Sequence, residues 1–378
     1  MKKNIALYVF LSSVVAIFLS PVFAMAVDVE YESPQEPQRA RILEIVSEEV
    51  KEIPGTGTMH LYQVIKAEIL DGEGRKTEVN ILNDYVKLDK GDVFYFKKIP
   101  GLDGPESYTV TGIDRRAALF VLVALFVGVV LVFGRMQGLR SLLALLGSFL
   151  IIFYLLIPGL LNGWNPFFAS FVVASGILFA AIFFTHGFNR VSSVAFGGTV
   201  FAVALTGFFA VLAVKATNLS GFAAEESVYL NFNTDGGLNF TALLLGAIII
   251  GALGVLDDIA ITQSAVVDEL YDSKPDMRRA EAYQRALRVG REHVGALVNT
   301  LVLAYTGAAL PLLMLLYVSS PDFSSLINME VIATEIVRVI AGSIGLILTV
   351  PIVTAFAVYF LKDHAGKSDI HHGHSHGA

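Results

Sequence analysis

From Ala117 to Leu361 the sequence is a succession of apolar stretches separated by short polar segments, each stretch close to the length that crosses a bilayer. About 20 helical residues at 1.5 Å each span the hydrocarbon of a membrane. Seven stretches meet that length, at about 117–133, 141–161, 167–185, 192–214, 238–257, 293–317 and 336–361. Composition agrees, since 54% of the 378 residues are hydrophobic and only 16% charged, against about 25% charged in an ordinary soluble domain. The expected fold class is an α-helical polytopic membrane protein with about seven transmembrane helices, preceded by a small N-terminal extracytoplasmic β domain.

The N-terminus has Lys2 and Lys3, an apolar run from Ile5 to Leu19, then Pro21 and the small-residue pattern Ala24, Met25, Ala26. This is the shape of a signal peptide, or of a signal anchor if it is not cleaved, over residues 1–26. From Val27 to Ile113 the composition is that of a soluble domain. Strands are predicted at Ala40–Val46, Leu61–Leu70, Thr77–Ile81, Asp92–Lys97 and Tyr108–Gly112, and Asp71, Gly72, Glu73 and Gly74 read as a hairpin turn. Five short strands predict a small barrel, OB-like or similar, which serves either as a spacer or as a binder of a wall polymer, a peptide or a membrane-protein partner. Residues 114–361 form the helical domain and 362–378 a polar tail.

Basic residues set the orientation. If the β domain is exported, the inner segments hold Arg135, Arg140, Arg190, Lys274, Arg278, Arg279, Arg285, Arg288, Arg291, Lys362 and Lys367, while the outer interhelical loops hold Lys215. That bias follows the positive-inside rule and puts the C-terminus in the cytoplasm. Arg115 and Arg116, beside the first span on the outer side, run against it. The outer loop from Lys215 to Asn239 reads as a short interfacial helix or a lid, with nothing in it that specifies chemistry.

The most informative segment runs from Gly251 to Leu270, where no proline interrupts a single helix. At 100° per residue, Asp257, Ser264 and Asp268 fall within about 40° of one another, with Asp258, Thr262 and Glu269 on the next stripe. Ile259, Gln263, Val266, Val267 and Leu270 form an opposite apolar face with one polar interruption. Ionisable groups at membrane depth are costly and tend to face a cavity or a partner. The bland alternative is that Asp257 and Asp258 mark where the span meets water. Asn299 and Thr300 in the next span serve either as interhelical glue or as part of the same path. Pro275–Arg291 reads as a basic amphipathic helix on an anionic leaflet, one arginine of which could instead neutralise the acids. Arg338, with Glu335 its nearest sequence partner, and Pro351 predict a snorkelling arginine and a kink in the last span.

In the tail, His371, His372, His374 and His376, after His364, could chelate a divalent metal such as zinc or nickel, or bind it adventitiously. The absence of cysteine removes disulfides, thiolate catalysis and cysteine metal sites. No His-Glu-x-x-His, Walker loop, G-x-S-x-G or dinucleotide fingerprint is present, so an enzyme is not expected. A net charge of −7 with no groove-sized basic patch gives no reason to expect nucleic acid. The expected partners are the lipid bilayer and an envelope or membrane protein.

Gly254, Val255, Leu256, Asp257, Asp258, then Ser264, Ala265, Glu269, Leu270, Gly290, Arg291, Gly295 and Asn299, Thr300, Leu301 resemble the YibE/F family of bacterial multipass membrane proteins. Asp114–Arg116, Gly138–Arg140 and the Pro158–Pro166 loop add to the likeness. The resemblance implies a bacterial plasma-membrane location and an exported N-terminal domain, and brings no settled biochemical role. The second aspartate position is commonly apolar in that family, which favours Asp257 over Asp258. The expected function is a permease for a small solute or ion using the acidic stripe; the alternative is a non-transport envelope factor acting through its β domain.

Overall fold

A computed structural model describes residues 37–362 apart from 54, 56, 73, 100–106, 320 and 321. The expected signal segment 1–26 and the histidines of the tail lie outside the described residues. The chain forms two compact units, one carrying the β domain and ending at Phe133, the other starting at Gly134.

The first unit is a closed five-stranded barrel of β1 (Gln38–Glu52), β2 (Met59–Ile69), β3 (Glu78–Asn83), β4 (Val93–Ile99) and β5 (Ser107–Ile113), in the order β1-β2-β3-β5-β4. Only the β3–β5 pair is parallel. Period-2 alternation builds the core: Ala40 and Ile42, Ile65, Ala67 and Ile69, and Phe94 and Phe96 point inward with Ile81 and Val110. Two buried amides join a loop to this core. Leu88 N–H donates to Gln63 Oε1 (3.0 Å), Gln63 Nε2 donates to Leu88 O (3.0 Å), and Asn83 Nδ2 donates to Gln63 Oε1 (2.8 Å), so the buried polar groups are satisfied. β1 runs past its expected end at Val46 and pairs Glu52 with Met59. Residues 46–52 are exposed on both faces, so no alternation marks them.

The chain leaves the barrel through Asp114, whose carboxylate takes a bidentate pair of hydrogen bonds from Arg116 (2.8 and 2.5 Å) while the Arg116 guanidinium lies 5.7 Å from the Tyr95 ring. Arg116 is therefore not a free charge beside the first span. The Arg116 side-chain hydrogen bonds hold the Asp114 carboxyl down at about 2. Its folded value lies below the usual value of about 3.9, so the pair contributes fully above that pH and the contribution disappears as pH falls through about 2.

Ten helices follow among the described residues. α1 (Arg116–Ile151) leads through a π turn at Ile152–Leu156 into α2 (Ile157–Leu161); then come α3 (Pro166–His186), α4 (Arg190–Ala216), α5 (Glu225–Asn233), α6 (Phe240–Ser273), α7 (Arg279–Ala308), α8 (Leu310–Ser319), α9 (Phe323–Asn328) and α10 (Glu330–Leu361). Five helical runs are long and apolar enough to cross a membrane, and a sixth if α7 and α8, bent by 64°, count as one. The gap expected between the first two spans is absent: Arg135 alone departs from helical geometry within α1 (φ 46°, ψ −132°). Asparagine begins three of the long helices, with Asn165, Asn189 and Asn239 accepting from backbone N–H groups of the first turn. The break before α8 falls at Ala309, two residues before Pro311, which has no N–H to continue the bonding of α7 into α8. α10, by contrast, runs unbroken through Pro351, where a kink was expected.

The second unit is built on α4, α6 and α10, with α3 against α6 and α7 against α6 and α10. Glycines permit the approach. A Cβ at Gly345 would strike the Thr206 side chain, one at Gly198 would lie 2.8 Å from Val353, and one at Gly246 would strike Ser170. Thr199, Thr206, Thr349 and Thr354, all buried, return their hydroxyls to carbonyls one turn earlier.

Two outcomes test this architecture. Gly345→Ala should lower the thermal midpoint by an amount corresponding to about 1–3 kcal/mol of overpacking, whereas Gly147→Ala, where an added Cβ meets nothing, should leave it unchanged or raise it. Asp114→Asn should flatten the acid dependence of barrel unfolding between about pH 4 and pH 2, followed by circular dichroism.

Candidate functional site

α6 has 34 residues, about 51 Å at 1.5 Å per residue, well beyond the about 30 Å of a bilayer core. Asp257 stands 17 positions after Phe240, about 25 Å along the helix, so the acids lie towards the far boundary of such a core and not at its middle. The burial pattern gives α6 a packed face of Leu256, Ile259, Ala260, Gln263, Val267 and Tyr271, and an open side with Gly254, Asp258, Ala265 and Glu269. Asp257 and Asp268 are half-buried between the two. Asp257 Oδ1 accepts from the Asp258 N–H at 2.9 Å, and the Asp258 carboxylate is within electrostatic reach of His186 at the end of α3. Ser264 is fully buried with no hydrogen-bond partner for its hydroxyl.

α7 runs antiparallel to α6 and is anchored to it at two levels. Near one end, a Cβ on Gly251 would sit 2.8 Å from the Tyr305 hydroxyl; near the other, a Cβ on Gly290 would sit 2.6 Å from the side-chain amide of Gln263. Six residues past Gly251 is Asp257, and six before Tyr305 is Asn299, so the two occupy one level between the anchors. Gly254 and Gly295, also between them, face open space. Asn299 and Thr300 are exposed, and Thr300 Oγ1 donates to Ala296 O of its own helix at 2.9 Å. Among the described residues no hydrogen bond or ion pair joins these two side chains to the acids. On the Tyr305 side, Arg338 Nη1 meets Glu335 Oε1 at 2.7 Å, the pairing expected from sequence, while Arg338 Nε is buried without a partner.

A buried polar contact joining three helices of the unit involves Gln263, which in the sequence is a lone interruption in an apolar face. It is 0% exposed and reaches α10 and α7 together. The single proton of the Thr354 hydroxyl is committed to Val350 O at 2.6 Å, so the Gln263 amide nitrogen is the group that faces Thr354 Oγ1 (2.9 Å) and Ala286 O (3.2 Å), leaving its oxygen to accept from Gly290 N–H (3.3 Å). Ala282, Ala286 and Gly290, four residues apart, make the flat face that allows this approach. That spacing was the missed signal. Residues 275–291 are accordingly not a separate helix lying on a leaflet: from Arg279 they are the first turns of α7, packed through Ala282 and Ala286 against Tyr271, Met277 and Val358. Among the described residues no ion pair joins Arg278, Arg285, Arg288 or Arg291 to the α6 acids. Arg285 pairs with Glu281 (2.8 Å), and Arg279 lies 5.0 Å from the Tyr359 ring.

The barrel holds a separate cavity of about 650 Å³, bordered by Gln38, Ile69, Asp71, Thr77, Phe96 and Tyr108. Partial burial pushes the Asp71 carboxyl up, but hydrogen bonds from the Arg39 backbone (2.7 Å) and guanidinium (2.5 Å) outweigh it and leave the group below its ordinary range. No group of three or more His, Cys, Asp or Glu side chains among the described residues is arranged to hold a metal ion.

These features define a multi-helix bundle of bilayer-length apolar helices carrying acids on its central helix, preceded in the chain by a small β barrel. The chain belongs to the YibE/F-like protein family, whose model matches residues 122–363, all of the bundle from early α1 onward and none of the barrel. No curated protein and no solved structure matches the chain.

Thr354→Val should cost about 1 kcal/mol by removing an acceptor from the buried amide, and adding Gln263→Leu should recover part of that loss, because the group left unpaired is then gone. Chemical-denaturation midpoints of the single and double variants in detergent measure it.

Proposed function

We propose that the chain is a bacterial plasma-membrane protein with seven crossings, the barrel outside and the C-terminus in the cytoplasm, in which α6 and α7 border a path for a small solute or ion. The family and the apolar helices support the membrane reading. The 46-residue run Arg116–Leu161 is about 69 Å long, enough for two crossings divided at Arg135. With α3, α4, α6, the α7–α8 pair and α10 the total is seven, and the distribution of Arg and Lys favours the stated orientation.

The observation that carries the transport reading is the interval between the two α6–α7 anchors, where Asp257 and Asn299 share a level and Gly254 and Gly295 leave space. A half-buried carboxylate there can bind a cation or proton, with the Asn299 amide and Thr300 hydroxyl supplying neutral oxygens. Asp258 and Asp268 extend the polar stripe toward water, whereas Ser264, expected to share it, is turned fully into the packed interior. The cavity in the barrel favours a second reading, a non-transport envelope factor that captures a peptide or polymer there.

One pair of variants separates the readings. In proteoliposomes Asp257→Asn should abolish cation- or proton-linked flux while the protein stays folded, and deletion of 27–113 should leave flux in place. Unchanged flux of every tested ion and proton in Asp257→Asn, with loss of cellular function on deleting 27–113, would favour the envelope factor.

A further inference from the structure

The connection from α4 to α6 is fixed at both ends. Glu330, the first residue of α10, accepts through Oε1 from Ser220 N–H (2.8 Å), Ser220 Oγ (2.6 Å) and Gly221 N–H (3.0 Å). Thr241 Oγ1, in the first turn of α6, donates to Ser220 O (2.9 Å), and the Phe222 and Phe240 rings lie 4.2 Å apart. Gly221 has φ +87°, and a Cβ there would strike the Phe240 carbonyl, so the latch needs glycine on both counts. The Glu330 carboxylate thus ties the loop to the start of α10, and Thr241 and Phe240 tie it to the start of α6.

α5 lies between this latch and Asn239, the residue that caps α6. It buries none of its side chains. Ser227, Leu230, Asn231 and Thr234 are half-covered on one side, whereas Val228, Tyr229 and Phe232 project together and are 44%, 68% and 74% exposed. Glu225 starts the same projecting face, at the helix N-terminus where the backbone dipole favours a carboxylate. Glu226 lies about a quarter-turn away. On α4, Phe208 and Leu212 are also uncovered. Aromatic residues beside span ends are the usual occupants of the headgroup level, and a short helix with one apolar face lies flat there.

We infer that α5 is an interfacial anchor, seated in the headgroup–acyl boundary of the leaflet at which α6 and α10 begin, with Tyr229 and Phe232 in the lipid and Glu330 setting its depth. Two glutamates and no basic residue in α5 fit neutral or zwitterionic headgroups. The inference rests on the membrane reading above.

Because the chain has no cysteine, single nitroxide labels can be placed without background. Full-length protein in vesicles of phosphatidylethanolamine and phosphatidylcholine, labelled at Tyr229→Cys, Phe232→Cys, Glu226→Cys or Phe208→Cys, is measured for collision with oxygen and with a water-soluble nickel chelate. Labels at 229 and 232 should favour oxygen, the label at 226 nickel, and the label at 208 oxygen most strongly; adding Glu330→Ala should shift 229 and 232 towards nickel. If 208 stays oxygen-dominated while 229 and 232 collide with nickel as readily as 226, the helix stands in water and the inference fails. Shielding of 229 and 232 from both reagents would mean that protein covers the face, which also overturns it. Nickel access at 208 would instead overturn the membrane reading beneath.

Discussion

Helices in hydrocarbon gain nothing from the hydrophobic effect when they associate, so a bundle of apolar helices is held by close packing and by the few polar groups it encloses. Here that constraint falls on positions without side chains. Gly345 lets α10 meet Thr206 of α4, Gly246 lets α6 meet Ser170 of α3, and Gly290 lets α7 meet Val350 and Gln263. The last of these contacts matters most for α7, because Gln263 joins it to α6 and α10 through one buried amide whose partners are all satisfied.

The grip at Gln263 and the contact of Tyr305 with Gly251 hold α6 and α7 together at two levels and leave the interval between them less filled. An acid on a fully packed face would have to be neutral or paired, and one on a face open to lipid would be expelled toward water. Asp257 is in neither position. It is half-buried, at the level of Asn299, with its neighbour Asp258 turned to the open side.

What the chain's linear pattern revealed and what it hid have physical causes. Strands with one buried face announce themselves by alternation, and Ile65, Ala67 and Ile69 do so clearly, whereas the exposed extension of β1 to Glu52 carries no such mark. The four-residue spacing of Ala282, Ala286 and Gly290 is as regular as any apolar stripe, but small residues weigh little beside Arg278, Arg285 and Arg288, and the segment read as a surface helix. Gln263 looked like a blemish on an apolar face because its partners, Thr354 and Gly290, are far away in sequence. Pro311 follows a break in the helix at Ala309, whereas Pro351 sits inside the continuous α10, so proline alone does not mark where these helices end. The acid stripe itself was legible, since an unbroken helix fixes which residues share a side, but the depth and openness of that side come only from the helices around it.

The central claim is that the open side of α6 between Gly254 and Ala265 meets water. Its most direct test is the rate at which a membrane-impermeant maleimide modifies single cysteines placed along this segment of the cysteine-free chain in sealed vesicles. Cysteines at 254, 258 and 265 should react quickly, while those at 256, 260 and 263 should not. If 254 and 258 are as inert as a cysteine at Phe201, an exposed apolar position in the middle of α4, the stripe faces lipid or protein and the proposed path does not exist.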